Sequence, residues 1–544
     1  MPSVQAQTGE AAASRHSSRS LVGISLFARV SSGNVLFILV SVLVAAWAAF
    51  QNFYKIGTAP ILADEPTYVD SGWRYVHGVA DAGNFEHPPL AKYLFGLAEM
   101  VAGTPSSLTA ARVVSSLATL LAAVAVAVWI SRSAGRWVGL LAGAMLTLLP
   151  EPAGGSDGRF TRFAMLDTVA SMFMVFSVIL AWEWARRSGR SAWVFAGLTG
   201  IAVGLAAGSK ENGFLGAVGP VIATVALALA TRRRREIALR AAQAAMAMLV
   251  SLLTFVALYL PVGHPIAHIR YLIDFQSTQS ALGHEIGFAG QVTSKPPWWA
   301  NLWFAGHNFG SVLTVFLLAC VLCALVLRRD RLVGWCAVAL AAPLIFHCFI
   351  AHVALGYYWA MWTPMFITLA ALGAAEAIRR TAAAAAAASA SPRLAVPVAL
   401  VMGAAVLAVP VGESVDQSVV VADIVPNGPE VVPTLMAEHQ LTGPIVSTGV
   451  GSWAWSYYLP GTTVYTSATS PVTGAETIVV AKVQCRDPLD PSVRALVTVN
   501  QRAGHVEQIY SDADLTVYAV TGPLIAPTTA QINSEPASNA TDGC

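Results

Sequence analysis

The sequence predicts an α-helical polytopic membrane protein that ends in a small extracytoplasmic α/β or β-rich domain. Three observations predict it. The chain is 56% hydrophobic with 11% charged residues, and its mean hydropathy is +0.61. About eleven apolar segments have bilayer-spanning length. Beyond about residue 412 the composition turns to Val, Thr, Pro and Gly. A chain of 544 residues this apolar is neither an ordinary soluble globular protein nor a disordered one. The net charge of +2 sits on clustered basic residues at span ends, so no nucleic acid partner is expected.

Residues 1–33 are rich in Ser, Ala and Arg with no apolar period, which predicts a disordered cytoplasmic N-terminus. The segment from Asn34 to Phe50 is long, set in from the start and followed by further spans, so it reads as a retained signal anchor. The predicted spans are 34–52, 108–131, 136–151, 164–185, 192–209, 212–231, 237–261, 308–327, 332–350, 354–377 and 394–411. Arg132 and Arg136, Arg186, Arg187 and Arg190, Arg232 to Arg235, Arg328, Arg329 and Arg331, and Arg379 and Arg380 fall in alternate short loops. The positive-inside rule makes that side cytoplasmic. Loops 53–107 and 262–307 then lie outside, with the short loop 152–163, the Lys210-Glu211-Asn212 turn and the C-terminal region.

The transmembrane domain is expected over 34–411 and the extracytoplasmic domain over 412–522, with short β-type runs at 444–448, 463–466, 477–483 and 515–520. Residues 523–544 read as a disordered tail. Cys320, Cys323, Cys336 and Cys348 fall in apolar segments and read as small buried hydrophobes, while Cys485 and Cys544 are available to pair in an oxidising compartment.

The chemistry concentrates on the outer side. The first outer loop carries Asp64-Glu65 and then Glu86-His87-Pro88-Pro89-Leu90-Ala91-Lys92, where the Pro pair ends any preceding structure and a short interfacial helix is expected to follow. Arg112 opens the second span, and Asp157, Arg159, Arg162 and Asp167 surround the third. Ionisable groups at the mouth of an apolar bundle are costly to hold and read as functional. Carboxylates able to take a proton from a hydroxyl, beside cations able to hold a departing phosphate, suit sugar transfer from a lipid phosphate.

The Asp-Glu pair, the His-Pro-Pro-Leu-x-Lys segment, the Arg of the second span and Arg-x-x-Met-Leu-Asp at Arg162 to Asp167 together resemble the GT-C superfamily of integral-membrane glycosyltransferases over roughly residues 34–377. The pattern is nearest to protein O-mannosyltransferases and lipid A aminoarabinose transferases. The resemblance implies a polyprenyl-phosphate sugar donor, an acceptor bound on the outer side and inversion at the anomeric carbon. It implies that Asp64 is the base or acceptor contact with Glu65 its partner, and that Glu86 matches the acid before the Pro pair of the aminoarabinose transferases. Those enzymes usually carry Lys where this chain has His87. Lys92 and Arg112 match recurrent basic positions, and Arg159 or Arg162 a donor-phosphate contact. Lys210-Glu211-Asn212-Gly213 resembles a Lys-x-Asn-Gly turn of the mannosyltransferases, and Ser294 to Trp299 their Pro-Trp stretch.

His87, Asp167, His284, Trp298 and Trp299 complete the candidate substrate-binding set; Asp167 equally suits a salt bridge, and the two Trp residues an interfacial belt. No cofactor is firm, and a divalent metal on Glu86-His87 stays open. The expected function is inverting transfer of a sugar, with mannose leading, to a protein Ser/Thr or a cell-envelope glycan or lipid at the plasma membrane. A secondary transporter would show internal repeats and midplane charges, which this sequence lacks. A non-catalytic assembly scaffold would tolerate loss of Asp64 and Arg162. A flippase or ligase of cell-wall polymers would share the outward site but not this motif order.

Overall fold

The computed structural model describes residues 32–59, 61–62, 64–79, 83–150, 152–153, 156–230, 233–284, 286–289, 291–351, 353–388, 395–426, 428–482, 489–512 and 514–535. Cys485 and Cys544 lie outside them, as does most of 1–33. By internal contacts the chain divides into 1–43 and 44–544. The opening of the first helix is the only described part of the first unit, and all the other elements belong to the second.

The helices are α1 (Ser32–Phe53), α2 (Glu65–Val76), α3 (Leu90–Ala102), α4 (Leu108–Ala134), α5 (Arg136–Leu148), α6 (Leu166–Arg186), α7 (Gly189–Ser209), α8 (Leu215–Ala230), α9 (Arg234–Ala257) and α10 (Pro265–Leu282). Then come α11 (Ala300–Phe309), α12 (Ser311–Leu327), α13 (Arg331–Ile345), α14 (Thr363–Ala388) and α15 (Ala395–Asp423). Each predicted span coincides with one of these helices over most of its length. Among the described residues eight helices are long and apolar enough to cross a membrane, and nine if α11 and α12, bent by 111°, count as one span. The number expected from sequence is higher for two physical reasons. The α5 helix has 13 residues, short of the roughly 20 a bilayer needs. The α14 helix starts only at Thr363 and places Glu376, Arg379 and Arg380 in one ion-paired cluster.

Small residues set the close approaches of α2 and α3. A Cβ on Gly72 of α2 would lie 2.4 Å from the Lys92 carbonyl oxygen, and one on Gly96 of α3 2.1 Å from that of Gly72. Backbone meets backbone there, so only glycine fits both positions. Pro89 caps the start of α3 and Gly103, at φ 67°, ends it in the left-handed conformation. The bundle core gathers Trp129, Trp182, Trp184, Trp335 and Trp359 among small Ala side chains.

The α15 helix continues to Asp423, past the boundary expected at residue 412. Beyond it lie α16 (Val432–Glu438), α17 (Ser452–Tyr458), α18 (Pro491–Ala503) and α19 (Thr529–Ser534). Two hairpins lie in loops between helices, β1 (Pro152–Ala153) with β2 (Ser156–Arg159) and β3 (Ile286–Phe288) with β4 (Gln291–Thr293). The C-terminal sheet is formed by β5 (Ile445–Thr448), β6 (Val464–Tyr465), β7 (Thr477–Ala481), β8 (Val506–Ser511) and β9 (Leu515–Val520), in the order β6-β5-β7-β9-β8. Its β5 runs parallel to both neighbours, and β9 runs antiparallel to β7 and β8. Part of the expected tail is ordered: Thr528 and Gln531 form a capping box at α19, and Asn500 bonds the backbone of Ile525 in both directions.

Candidate active site

The adjacent acids Asp64 and Glu65 have different surroundings. Glu65, at the first turn of α2, is fully buried. Its Oε1 accepts from Arg112 Nε at 2.8 Å and from the Ala164 amide at 2.6 Å. Its Oε2 accepts from Arg112 Nη2 at 2.7 Å and from the Leu62 amide at 2.9 Å. Arg112 Nη1 in turn donates to the carbonyls of Ile56 at 3.1 Å and Ala59 at 2.8 Å. Both side chains are spent on tying loop 56–65 to α4 and to the entry of α6. Expected as a catalytic acid and a phosphate contact, Glu65 and Arg112 form a buried bidentate ion pair that shapes the loop.

Asp64 occupies the N-cap position of α2 but makes no side-chain capping bond. It is partly exposed, and its Oδ2 accepts from the Tyr68 hydroxyl at 3.3 Å. Tyr68 is buried, and burial followed by the field of Asp64 holds its hydroxyl well above the ordinary tyrosine range. Its ring meets His87 edge-on at 5.8 Å, and His87 Nδ1 lies 2.9 Å from Glu211 Oε2. Next to Glu211, the buried Lys210 ammonium bonds both Asp167 oxygens at 2.7 and 2.8 Å and faces the rings of Tyr357 and Tyr358 at 5.4 and 5.0 Å. Burial alone works against that charge, and Asp167, Tyr358 and Glu211 more than offset it. These neighbouring groups form a network linked by hydrogen bonds at Asp64–Tyr68, His87–Glu211 and Lys210–Asp167 and by the ring contact of Tyr68 with His87.

Lys92 touches this network through Tyr68 and His87. Its ammonium donates to the carbonyl and side-chain oxygens of Asn84 and to the His87 carbonyl at 2.8 Å, and it faces the rings of Tyr68 and Tyr75. Burial pushes it down to about 7, against the opposing fields of Glu211 and Glu86. With three acceptors inside the protein, Lys92 ties the 84–87 segment together.

Arg159 and Arg162 are also buried. Arg159 Nη1 donates to Gln51 Oε1 at 2.9 Å, and Arg162 donates to the Gln51 carbonyl at 2.9 Å and the Tyr54 carbonyl at 2.5 Å. Arg162 Nε has no partner, and burial together with Arg112 and Arg159 brings its guanidinium down to about 10.

Glu86 accepts from Asn84 Nδ2 at 3.3 Å and lines a separate outer cavity of about 700 Å³ with Asp70 and His268. His284 lies just after Gly283, ahead of β3, and is half-buried. Trp298 stacks on Phe349 at 5.2 Å and Trp299 packs on Phe288 at 5.0 Å, in the aromatic cluster around α11. These three expected substrate contacts join no described contact of the Asp64–Asp167 network. Glu211, left out of the expected site, is central to it, and its signal was a Lys-Glu pair in a tight turn between two spans. Among the described residues no group of three or more His, Cys, Asp or Glu is arranged to hold a metal ion.

Residues 86–260 match the family described as dolichyl-phosphate-mannose-protein mannosyltransferase. ArnT from Cupriavidus metallidurans bound to undecaprenyl phosphate superposes with a TM-score of 0.55 over 92% of this chain and 100% of that one, at 16% identity. The chain has the fold of ArnT. The same fold is shared with the Archaeoglobus fulgidus oligosaccharyltransferase tethered to an acceptor peptide, at a TM-score of 0.53 and 12% identity over 82% of this chain and 69% of that one. Comparison with curated proteins by sequence finds no match. The region matched by the family includes Glu86, His87, Lys92, Arg112, Arg159, Arg162, Asp167, Lys210 and Glu211, while Asp64 and Glu65 precede it.

Proposed function

We propose that this protein is an inverting glycosyltransferase that moves a sugar from a polyprenyl-phosphate donor to an acceptor hydroxyl at the outer face of the membrane. One observation carries the reading: of two neighbouring acids, Glu65 is locked in four internal hydrogen bonds while Asp64 is left partly exposed at the head of a polar network. The acceptor oxygen attacks the anomeric carbon, and its proton passes to the Asp64 carboxylate. The bond between that carbon and the phosphate oxygen breaks, and polyprenyl phosphate leaves with the electron pair. Lys210 and His87 provide the cationic or hydrogen-bonding side of the network. The undecaprenyl phosphate bound by ArnT supports a lipid-phosphate donor, and the family described by its dolichyl-phosphate-mannose substrate supports mannose. The acceptor is a protein Ser or Thr, or a glycan or lipid of the cell envelope.

The test is incubation of membranes with radiolabelled polyprenyl-phosphate mannose, followed by separation of protein and glycolipid. Wild type is expected to label one fraction, and Asp64→Asn, inserted at the same level, to lose transfer by about 10²- to 10⁴-fold, the usual worth of a general base. Undiminished labelling by that variant would remove Asp64 from the mechanism.

A further inference from the structure

A second cavity, of about 760 Å³, lies where the C-terminal domain meets the outer turns of the bundle. One wall is the turn between α3 and α4 together with Thr58, and the other is α16 with Tyr457 and Tyr458 of α17. The walls are joined directly: the Tyr457 hydroxyl donates to the Ser106 carbonyl at 3.4 Å. The volume is in the range of ligand-holding clefts.

The lining has a definite chemistry. Hydroxyls come from Thr58, Thr104 and Ser106 on the bundle side and from Thr434 and the two tyrosines on the domain side. Two carboxylates, Glu430 and Glu438, are added by the domain, and no Lys, Arg or His is among the described lining residues. A phosphate or other anion would meet carboxylates with no cation to hold it. An acyl chain would take the hydroxyls of Thr58, Ser106 and Thr434 out of water, at a cost for each. A neutral polyhydroxyl ligand both donates to carboxylates and exchanges hydrogen bonds with hydroxyls, and its apolar faces suit tyrosine rings.

From this we infer that the C-terminal domain and the α3–α4 turn form a binding site for a neutral oligosaccharide, the sugar portion of a glycan acceptor. Calling the ligand an acceptor rests on the glycosyltransferase reading above; the binding itself does not. The full-length protein in detergent would be titrated calorimetrically with a panel of neutral gluco-, galacto-, manno- and arabino-oligosaccharides, and with their phosphorylated counterparts, up to about 10 mM, which detects even millimolar sites. At least one neutral member is expected to bind, and its phosphorylated form to bind more weakly. Thr434→Trp, on an exposed position of α16, and Thr104→Trp, on the opposite wall, would each fill the cavity and weaken binding at least tenfold with melting unchanged. Having the two walls tested separately keeps the result decisive if one variant folds poorly. Absence of binding by every neutral member, tighter binding of the phosphorylated forms, or full binding by the well-folded Trp variants would overturn the inference. Because no donor is present, Asp64→Asn retains this binding, so failure of transfer and failure of the saccharide site are read apart.

Discussion

Replacing Glu65 by Gln should separate two acids that stand side by side. The carboxylate accepts four hydrogen bonds, two from Arg112 and two from the amides of Leu62 and Ala164. A carboxamide keeps one acceptor oxygen and turns an NH2 toward groups that can only donate, so half of those bonds are lost. Arg112, 1% exposed, would then hold its charge without a counter-ion. Breaking one side of such a buried pair costs on the order of 3–5 kcal/mol. In a thermal melt of the detergent-solubilised protein, Glu65→Gln should therefore melt roughly 5 °C or more below wild type, whereas Asp64→Asn melts with wild type and loses transfer. The double variant Glu65→Leu/Arg112→Met should recover part of the loss, short of full recovery because the Ile56 and Ala59 carbonyls lose their donor. A Glu65→Gln protein with wild-type melting but no transfer would refute the structural role and move Glu65 into the chemistry.

Other contacts carry their own expected outcomes. Lys210→Met leaves the buried Asp167 carboxylate without its cation and should destabilise by about 3–5 kcal/mol, and Lys210→Met/Asp167→Leu should restore melting but not transfer. Gly72→Ala should force α2 and α3 apart, since its Cβ would lie 2.4 Å from backbone; lowered melting and lowered transfer together are expected, and a neutral result would contradict the crossing. Glu99 of α3 is buried, neither carboxylate oxygen has a partner, and burial followed by the field of Asp70 raises it to about 8. Its folded form holds a proton that the unfolded chain releases near 4.5, so its contribution is complete below that pH and is lost as pH rises toward about 8. Melting of wild type should fall across that window and the fall should be shallower in Glu99→Gln, as a pH series of melts would show.

The membrane helices were legible because apolar runs of bilayer length bounded by Arg clusters announce themselves locally, as did α3 after Pro88-Pro89. The runs 444–448 and 515–520 were legible as strands through their Val and Thr content and fall on β5 and β9. What stayed hidden was partnership. Arg112 and Glu65 are 47 residues apart and Lys210 and Asp167 are 43 apart, so nothing in the local pattern distinguishes an arginine spent on a neighbouring acid from one held ready for a phosphate. Likewise Lys92 looked available until Asn84 and His87 supplied its acceptors. The strand β8 was missed because its outward residues Glu507 and Gln508 break the apolar pattern at a sheet edge.

The helix α15 has a role in the outer loop that composition conceals. Gln51 donates to the Ser414 carbonyl at 2.7 Å and to Ser418 Oγ at 2.9 Å, Trp47 donates to the same hydroxyl, and Lys55 donates to the carbonyls of Ala422 and Ile424. Gln51 also receives Arg159 and Arg162. Trimming the polypeptide at residue 411, where hydropathy suggests a safe cut, would strip the docking rail from the end of α1 and slacken the very arch that presents Asp64. A shortened version meant to preserve that arch has to keep the chain through Ile424.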